Sequence, residues 1–421
     1  MRKAKQKFDT AMLVKKPAFW TKPIIRVGTA FLTMGHGGKV EKINCEGLKP
    51  PYILLSTHAS MIDFAVASRA IKPHLANWVI SIEEFVGREW LLRQVGGIYK
   101  RKFTSDVMVV KHILTSLTKN KDIVIIYPEA RFSIAGVNEA VDGALGKLAK
   151  AAKCPVVFLQ MRGNFLMSPQ WNKHPYRKVP VSAVMEQIVT REEAETLSAA
   201  QIQERIEKKF DYDEYKWQRD NGIVIDSEYR ARNIHKILYQ CPRCKKEFTT
   251  KSEKTKIWCE NCGATYEMDT LGRLKATEGE TEFDLVSDWY RFERKQVNEE
   301  VASGKYFFED TVRVEHLKSS AAGCVPIGEV KLTHGYDGFT LEGKLYDGSD
   351  FYLHRDPETM RSCHIEYDYK KRGGALELCT LKDTYFVFPL NKFNPLTKLH
   401  FATEAVYEYT LNKEKSQDES I

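Results

Sequence analysis

Two groups of residues in this 421-residue sequence have types and spacings that could do chemistry. The first is His58, with Asp63 five positions later. On one regular helix five residues turn through about 140°, so the pair would not share a face. With His58 in a loop and Asp63 in the first turn of the next helix, the carboxylate can hold one imidazole nitrogen and leave the other as a general base. The competing reading is a structural His–Asp contact. The second group is Cys241-Pro242-Arg243-Cys244 and, fourteen residues on, Cys259-Glu260-Asn261-Cys262. Two tight turns that each offer a thiolate pair close a tetrahedral Zn2+ site, and four sulfurs leave no place for water. The expected metal is therefore structural, in a zinc ribbon over 236–275 that staples neighbouring domains.

Two further segments carry charge where apolar runs end. Gly96-Gly97-Ile98-Tyr99-Lys100-Arg101-Lys102 places three cations after a flexible turn and an apolar pair. Ile123–Tyr127 leads into Pro128-Glu129-Ala130-Arg131-Phe132-Ser133. An Arg at a strand end is a natural bidentate ligand for phosphate, although Glu129 and Arg131 could equally make a surface ion pair.

The elements that must position these groups follow from periodicity. Tyr52–Ser56, Trp78–Ile82, Ile123–Tyr127, Val156–Gln160 and Val179–Met185 read as strands, and Asp106–Thr118 and Asp142–Ala152 as helices. Their alternation over 41–225 predicts an α/β domain with a mixed, largely parallel sheet covered by helices. Ligands of such sheets bind beyond the strand ends. Region 280–412 opens with a helical stretch over Phe283–Val301 and then turns β, with Asp337-Gly338 and Asp347-Gly348 as hairpin turns. Asn394-Pro395 opens a final helix to about Leu411. This region reads as a mainly β accessory domain with a C-terminal helix, a small barrel or sandwich that faintly resembles the pleckstrin-homology (PH-like) fold.

In this order, over about 41–190, the segments resemble the glycerolipid acyltransferase family, which includes the lysophosphatidic acid acyltransferases. The family's N-H-x-x-x-x-D block is matched by Thr57-His58 through Asp63, and its G-x-I-F-I-x-R block loosely by Gly96, Ile98, Tyr99 and Arg101-Lys102. Its F-P-E-G-T-R-S block is similar to Tyr127 through Ser133, and its apolar V-P-V-V-P-V strand to Cys154 through Leu159. A Gly that commonly precedes the intervening helix has a counterpart in Gly143. Three departures stand out: Ala130 replaces the Gly, Arg131 follows Glu129 by two residues where the family usually has three, and strict alignment puts Lys102 at the Arg position of the second block.

The resemblance implies an O-acyltransferase of the 1-acylglycerol-3-phosphate type. His58, held by Asp63, would take a proton from a hydroxyl of a lysophospholipid acceptor, which then attacks the thioester of acyl-CoA or acyl-carrier protein. Glu129, Arg131, Arg101 and Lys102 would bind the acceptor and its phosphate. The alternative is a non-catalytic or regulatory lipid-binding protein that retains the fold.

Charge narrows the partners. The chain has a net charge of +8, and residues 1–30 hold eight Lys and Arg against one Asp, a surplus of seven. The remaining body is nearly balanced, which argues against an extended nucleic-acid groove. Over 1–40 the cations alternate with Phe8, Phe19, Trp20, Ile24, Phe31 and Leu32, the composition of an amphipathic arm in a membrane interface. Pro17 and Pro23 are expected to break it into short pieces. The plainer reading is an arm packed on its own domain. No uncharged run approaches the ~20 residues that span a bilayer, and no secretory signal stands out. With nine cysteines, an odd number, lacking framework spacing outside the tetrad, the expected address is cytoplasmic, peripheral on the inner face of the cell membrane.

Overall fold

Four β-branched residues in a row, Ile123-Val124-Ile125-Ile126, leave no polar face, and such a run suits a strand covered on both sides. In the computed structural model, which describes residue 8 and residues 12–418 apart from 140, 174, 320, 321 and 392, this run is fully buried. It belongs to a seven-stranded sheet made of β1 (Gly37–Ile43), β2 (Ile53–Ser56), β3 (Ala76–Ser81), β4 (Gly97–Lys100), β5 (Ile123–Ile126), β6 (Val156–Arg162) and β7 (Val181–Val189). The order is β1-β7-β6-β2-β5-β3-β4. Only the β6–β7 pair is antiparallel, so the sheet is mixed and largely parallel, as expected. Alternate residues feed two cores. Tyr52 and Leu54 face one cluster, and Ile53 and Leu55 face the other, under the helix Leu145–Ala152.

Several boundaries shift for local reasons. Asp106 caps its helix by accepting from Met108 N at 2.8 Å; the regular turns run Val107–Leu114 and then widen into a π turn over Thr115–Lys119. Gly96 holds the expected turn, at φ +86°, but Gly97 does not extend it. Gly97 starts β4, and a Cβ there would lie 2.8 Å from Leu92 O, so close packing is what requires glycine. Pro23 does not break the arm either. It sits in the first turn of the helix Thr21–Thr33, where backbone N–H groups have no intrahelical partner and proline removes nothing. Arg2, Lys3, Lys5, Lys7 and Asp9 lie outside the described residues.

The cysteine segment forms a four-stranded antiparallel sheet of β8 (Thr250–Glu253), β9 (Lys256–Cys259), β10 (Thr265–Met268) and β11 (Leu274–Ala276). After a bridging helix, Val286–Ala302, the chain builds a second seven-stranded sheet. Its strands are β12 (Phe308–Ser319), β13 (Gly323–Gly335), β14 (Gly338–Lys344), β15 (Asp350–Arg355), β16 (His364–Glu366), β17 (Ala375–Cys379) and β18 (Thr384–Pro389). Both Asp-Gly pairs fall at hairpin turns, with Gly338 and Gly348 at positive φ. The order β15-β14-β13-β12-β18-β17-β16 is a single sheet with two edges, not a closed barrel. Asn394 Oδ1 accepts from Leu396 N at 3.1 Å and starts the C-terminal helix, Leu396–Asp418. One apolar cluster runs without interruption from Leu54 and Val66 through Cys241 and Tyr266 to Val312, Leu376 and Leu399. The C-terminal regions therefore share a core with the α/β sheet.

Candidate active site

β2 ends at Ser56, and the loop beyond it is pinned to β6: Thr57 N donates to Leu159 O at 3.3 Å and Thr57 Oγ1 accepts from Met161 N at 3.0 Å. This fixes His58 at the carboxyl edge of the sheet. Asp63 is the first residue of the helix Asp63–Ala70 and is fully buried. Its Oδ2 accepts from Ala59 N at 2.6 Å, Ser60 N at 3.0 Å and His58 Nδ1 at 2.8 Å. Its Oδ1 accepts from Asn164 Nδ2 at 2.5 Å. The loop-and-first-turn arrangement is thus the one that brings a five-residue pair together. An ionised carboxylate can only accept, so in the neutral ring Nδ1 carries the hydrogen and Nε2 keeps its lone pair. The imidazole, 23% exposed, lies against Tyr127 and Phe132, at 3.9 and 4.2 Å between ring centres.

Asn164 is a residue that the sequence reading missed. It follows Gly163, whose φ of +83° and whose approach to Pro180 O (2.2 Å from a would-be Cβ) admit no side chain. Gly163 N donates to the buried Glu214. The chain Glu214–Gly163–Asn164–Asp63 therefore orients the dyad from behind. A polar residue just past the end of an apolar strand was the available signal.

Glu129 is 2% exposed. Its Oε1 accepts from Glu139 N at 2.8 Å, and its Oε2 has no partner among the described residues. Burial, aided by the Glu139 charge, pushes its carboxyl up to about 8, so near neutral pH it is largely protonated. Folding then favours the protonated acid, and stability erodes as pH rises from the ordinary carboxyl range through about 8. Glu129→Gln keeps an acceptor for Glu139 N and removes the ionisation. Its melting temperature should fall less than that of the unmodified protein between pH 6 and 9; parallel curves would refute the burial argument. Ala130 holds φ +55°, a glycine-like backbone retained with a methyl group.

The three expected phosphate-binding cations each have partners in the C-terminal regions. Arg101 is buried and donates to Leu381 O at 3.1 Å and Lys382 O at 2.6 Å. Lys102 pairs with Glu83 and with Glu377 at 3.0 Å. Arg131, 3% exposed, donates to Ser362 Oγ at 2.6 Å, Cys363 O at 3.3 Å and Glu404 Oε1 at 2.9 Å. Around it Arg294 binds both Glu139 and Glu404, and Tyr290 Oη donates to Glu139 at 2.9 Å. Burial alone would raise the Glu139 carboxyl, but the charges of Arg294 and its neighbours hold it at about 2. Glu139, His400 and Glu404 lie close enough to ligate a cation, yet the two guanidiniums already neutralise the carboxylates.

The tetrad Cys241, Cys244, Cys259 and Cys262 is assembled, with no disulfide and all sulfurs within 4.8 Å of one another. The Cys241–Cys262 and Cys244–Cys259 Sγ pairs are each 3.7 Å apart. Four ligands at about 2.3 Å from a tetrahedral zinc lie about 3.8 Å apart, so the donor set fits. Asn261 Nδ2 donates to Cys244 Sγ at 3.5 Å, as an outer partner of a ligand would.

The site is therefore a His–Asp pair at the carboxyl edge of a largely parallel sheet. Residues 39–161 match the family model described as Acyltransferase. The chain is also similar to the crystal structure of the 1-acyl-sn-glycerophosphate (LPA) acyltransferase PlsC from Thermotoga maritima. The identity is 16%, the TM-score 0.37, and the match covers 45% of this chain and 77% of that one. No curated protein matches the sequence.

Proposed function

We propose that the protein is an O-acyltransferase that moves a fatty acyl group from acyl-CoA or acyl-carrier protein to a hydroxyl of a lysophosphatidate-type acceptor. The observation that carries this reading is the His58–Asp63 pair, with Nε2 left free to accept a proton. Nε2 takes the hydroxyl proton as the oxygen attacks the thioester carbonyl. The C–S bond of the tetrahedral intermediate then breaks, and the imidazolium returns its proton to the leaving thiolate. The test is transfer of labelled acyl groups from acyl-CoA to lysophosphatidate, with His58→Ala as the deciding variant. The engagement of Arg101, Lys102 and Arg131 elsewhere favours a second reading, a lipid-binding protein without turnover, and the same assay separates the two.

The accessory regions support the enzyme in this reading, with boundaries near 1–40, 41–225, 236–275 and 280–412. The Cys tetrad holds a structural Zn2+. Removal of the metal by a chelator should give one equivalent of released zinc and loss of β8–β11 protection in hydrogen exchange. A tetrad without zinc in the purified protein would refute the assignment.

The arm acts as the membrane contact. The helix Thr21–Thr33 exposes Ile24, Val27, Phe31 and Leu32 beside Lys22 and Arg26, and Phe19, Met34, Met61 and Trp90 extend the exposed apolar surface. No described helix is long and apolar enough to cross a membrane. Each Lys or Arg near anionic headgroups contributes about 1 kcal/mol, so deletion of residues 1–30 should weaken co-sedimentation with anionic vesicles at least tenfold. Undiminished binding would return the arm to a packing role.

A further inference from the structure

The helix Thr21–Thr33 has two opposite faces. At about 100° per residue, Ile24, Val27 and Phe31 fall within about 60° of one another, and all three are exposed. Lys22, Arg26 and Thr29 fall on the other side, where the helix meets the end of the helix Asp63–Ala70 and the start of β3. Arg69 fastens the two helices, donating to Thr33 Oγ1 at 2.9 Å and to Gly37 O at 2.8 Å. Beside this contact a small cleft stays open, lined by Lys22, Arg26, Ser68, Lys72 and His74 together with apolar side chains.

Its charge is one-sided. Among the described residues no Asp or Glu lines it, and Lys22, Arg26 and Lys72 make no ion pair and no side-chain hydrogen bond. Lys72 and His74 follow a helix and complement its negative end. Lys22 has no such reason for its place: it stands in the first turn of its own helix, the positive end, with no acid beside it there. Desolvation and then the charges of Lys22 and Lys42 push the His74 imidazole down, so near neutral pH it is an uncharged ring among three cations. Ser68 is 8% exposed, and its hydroxyl has no hydrogen-bond partner among the described residues, which is costly for a buried polar group. The enclosed space, about 20 Å3, admits one oxygen-sized group. A phosphate fits these limits by inserting one oxygen beside Ser68 and leaving the others to the cations at the rim.

The height of the cleft matches a bilayer surface. An interfacial helix sinks its apolar face about 5–10 Å, and a helix with its side chains is about 10–12 Å across. With Ile24, Val27 and Phe31 pointing into the bilayer, the cleft on the far side lies level with the headgroups. It is also at the amino edge of the sheet, where β3 begins, at the opposite end of the helix Asp63–Ala70 from the His58–Asp63 pair. We infer that this cleft docks the phosphate headgroup of an anionic phospholipid, apart from the acyl-transfer centre, and so seats the protein on the membrane. The inference rests on the reading of the arm as the membrane contact.

The full chain is titrated calorimetrically with dihexanoyl-phosphatidylglycerol below its micelle concentration and, separately, with inorganic phosphate. Ser68→Ala and Lys72→Gln should each weaken binding of the short-chain lipid about tenfold or more, the loss of a hydrogen bond to a charged group. Lys16→Gln, which removes an arm cation outside the cleft, should leave that binding unchanged. Neither Ser68 nor Lys72 makes a side-chain hydrogen bond within the protein, so both variants should keep the original melting temperature. Co-sedimentation with phosphatidylcholine vesicles containing phosphatidylglycerol is the second measurement. Generic surface attraction predicts equal losses for Lys72→Gln and Lys16→Gln and none for Ser68→Ala; that pattern overturns the site and leaves the arm reading in place. An unmodified protein that binds no anionic vesicle overturns both. Inorganic phosphate that binds as tightly as the lipid, with the same dependence on Ser68 and Lys72, assigns the cleft to a free anion and overturns the headgroup.

Discussion

His58→Ala should lower kcat for acyl transfer by about 10²–10⁴-fold, the range that a positioned general base supplies. The geometry makes the effect specific. Asp63 is buried and takes two backbone N–H groups together with His58 Nδ1, so in the proposed reaction the base is Nε2. Asp63→Asn gives a companion result by a different route. An amide that turns its NH2 toward Nδ1 would shift the ring hydrogen to Nε2 and remove the lone pair that accepts the substrate proton. An amide that turns its oxygen there would present NH2 to the Asn164 donor instead. Both outcomes reduce kcat while leaving the ring in place. Because His58 is partly exposed, its truncation should leave the thermal midpoint within a few degrees of the original. A His58→Ala protein that transfers at the unmodified rate would refute the mechanism.

Arg131→Ala should destabilise the fold by about 3–5 kcal/mol, since removal of one partner strands an uncompensated buried charge. The side chain is 3% exposed and meets Ser362, Cys363 and Glu404 across more than 230 residues of sequence. Without it Arg294, which lies nearer the surface, is the one guanidinium left to both Glu139 and Glu404 among the described residues. Chemical denaturation would read the change as a lower midpoint. The double variant Arg131→Met with Glu404→Gln should recover part of the loss, because it removes the pair and not one half of it. An Arg131→Ala midpoint equal to the original would mean that the network contributes nothing. This result also bears on recognition: a guanidinium clamped to the C-terminal helix holds the Glu129 segment in place and is not available to a substrate phosphate without breaking that clamp.

What could be read from the chain alone was local. The apolar run Ile123–Ile126 must be a covered strand, and the Asp-Gly pairs must be turns, because backbone sterics and burial act over a few residues. The five-residue interval from His58 to Asp63 admits one productive arrangement, a loop followed by a helix start, and the structure has it. The two Cys-x-x-Cys turns likewise carry their chemistry within four residues each. Asn164 was hidden because it meets Asp63 across 101 residues of sequence, and no periodicity reports such a contact.

The cationic residues mark the boundary between the two kinds of information. Arg101, Lys102 and Arg131 have the residue types and strand-end positions of phosphate ligands, and residue type and position are all that a sequence displays. Which way a long charged side chain turns depends on the competing acceptors within its reach. Here Leu381 O, Glu377 and Glu404, each more than 270 residues away, take these donors. By itself the sequence determined the strand-end chemistry, the His–Asp dyad and the thiolate tetrad. The tertiary structure alone decided which charges are engaged and by which partners, because desolvation and pairing are set by neighbours that only folding brings together.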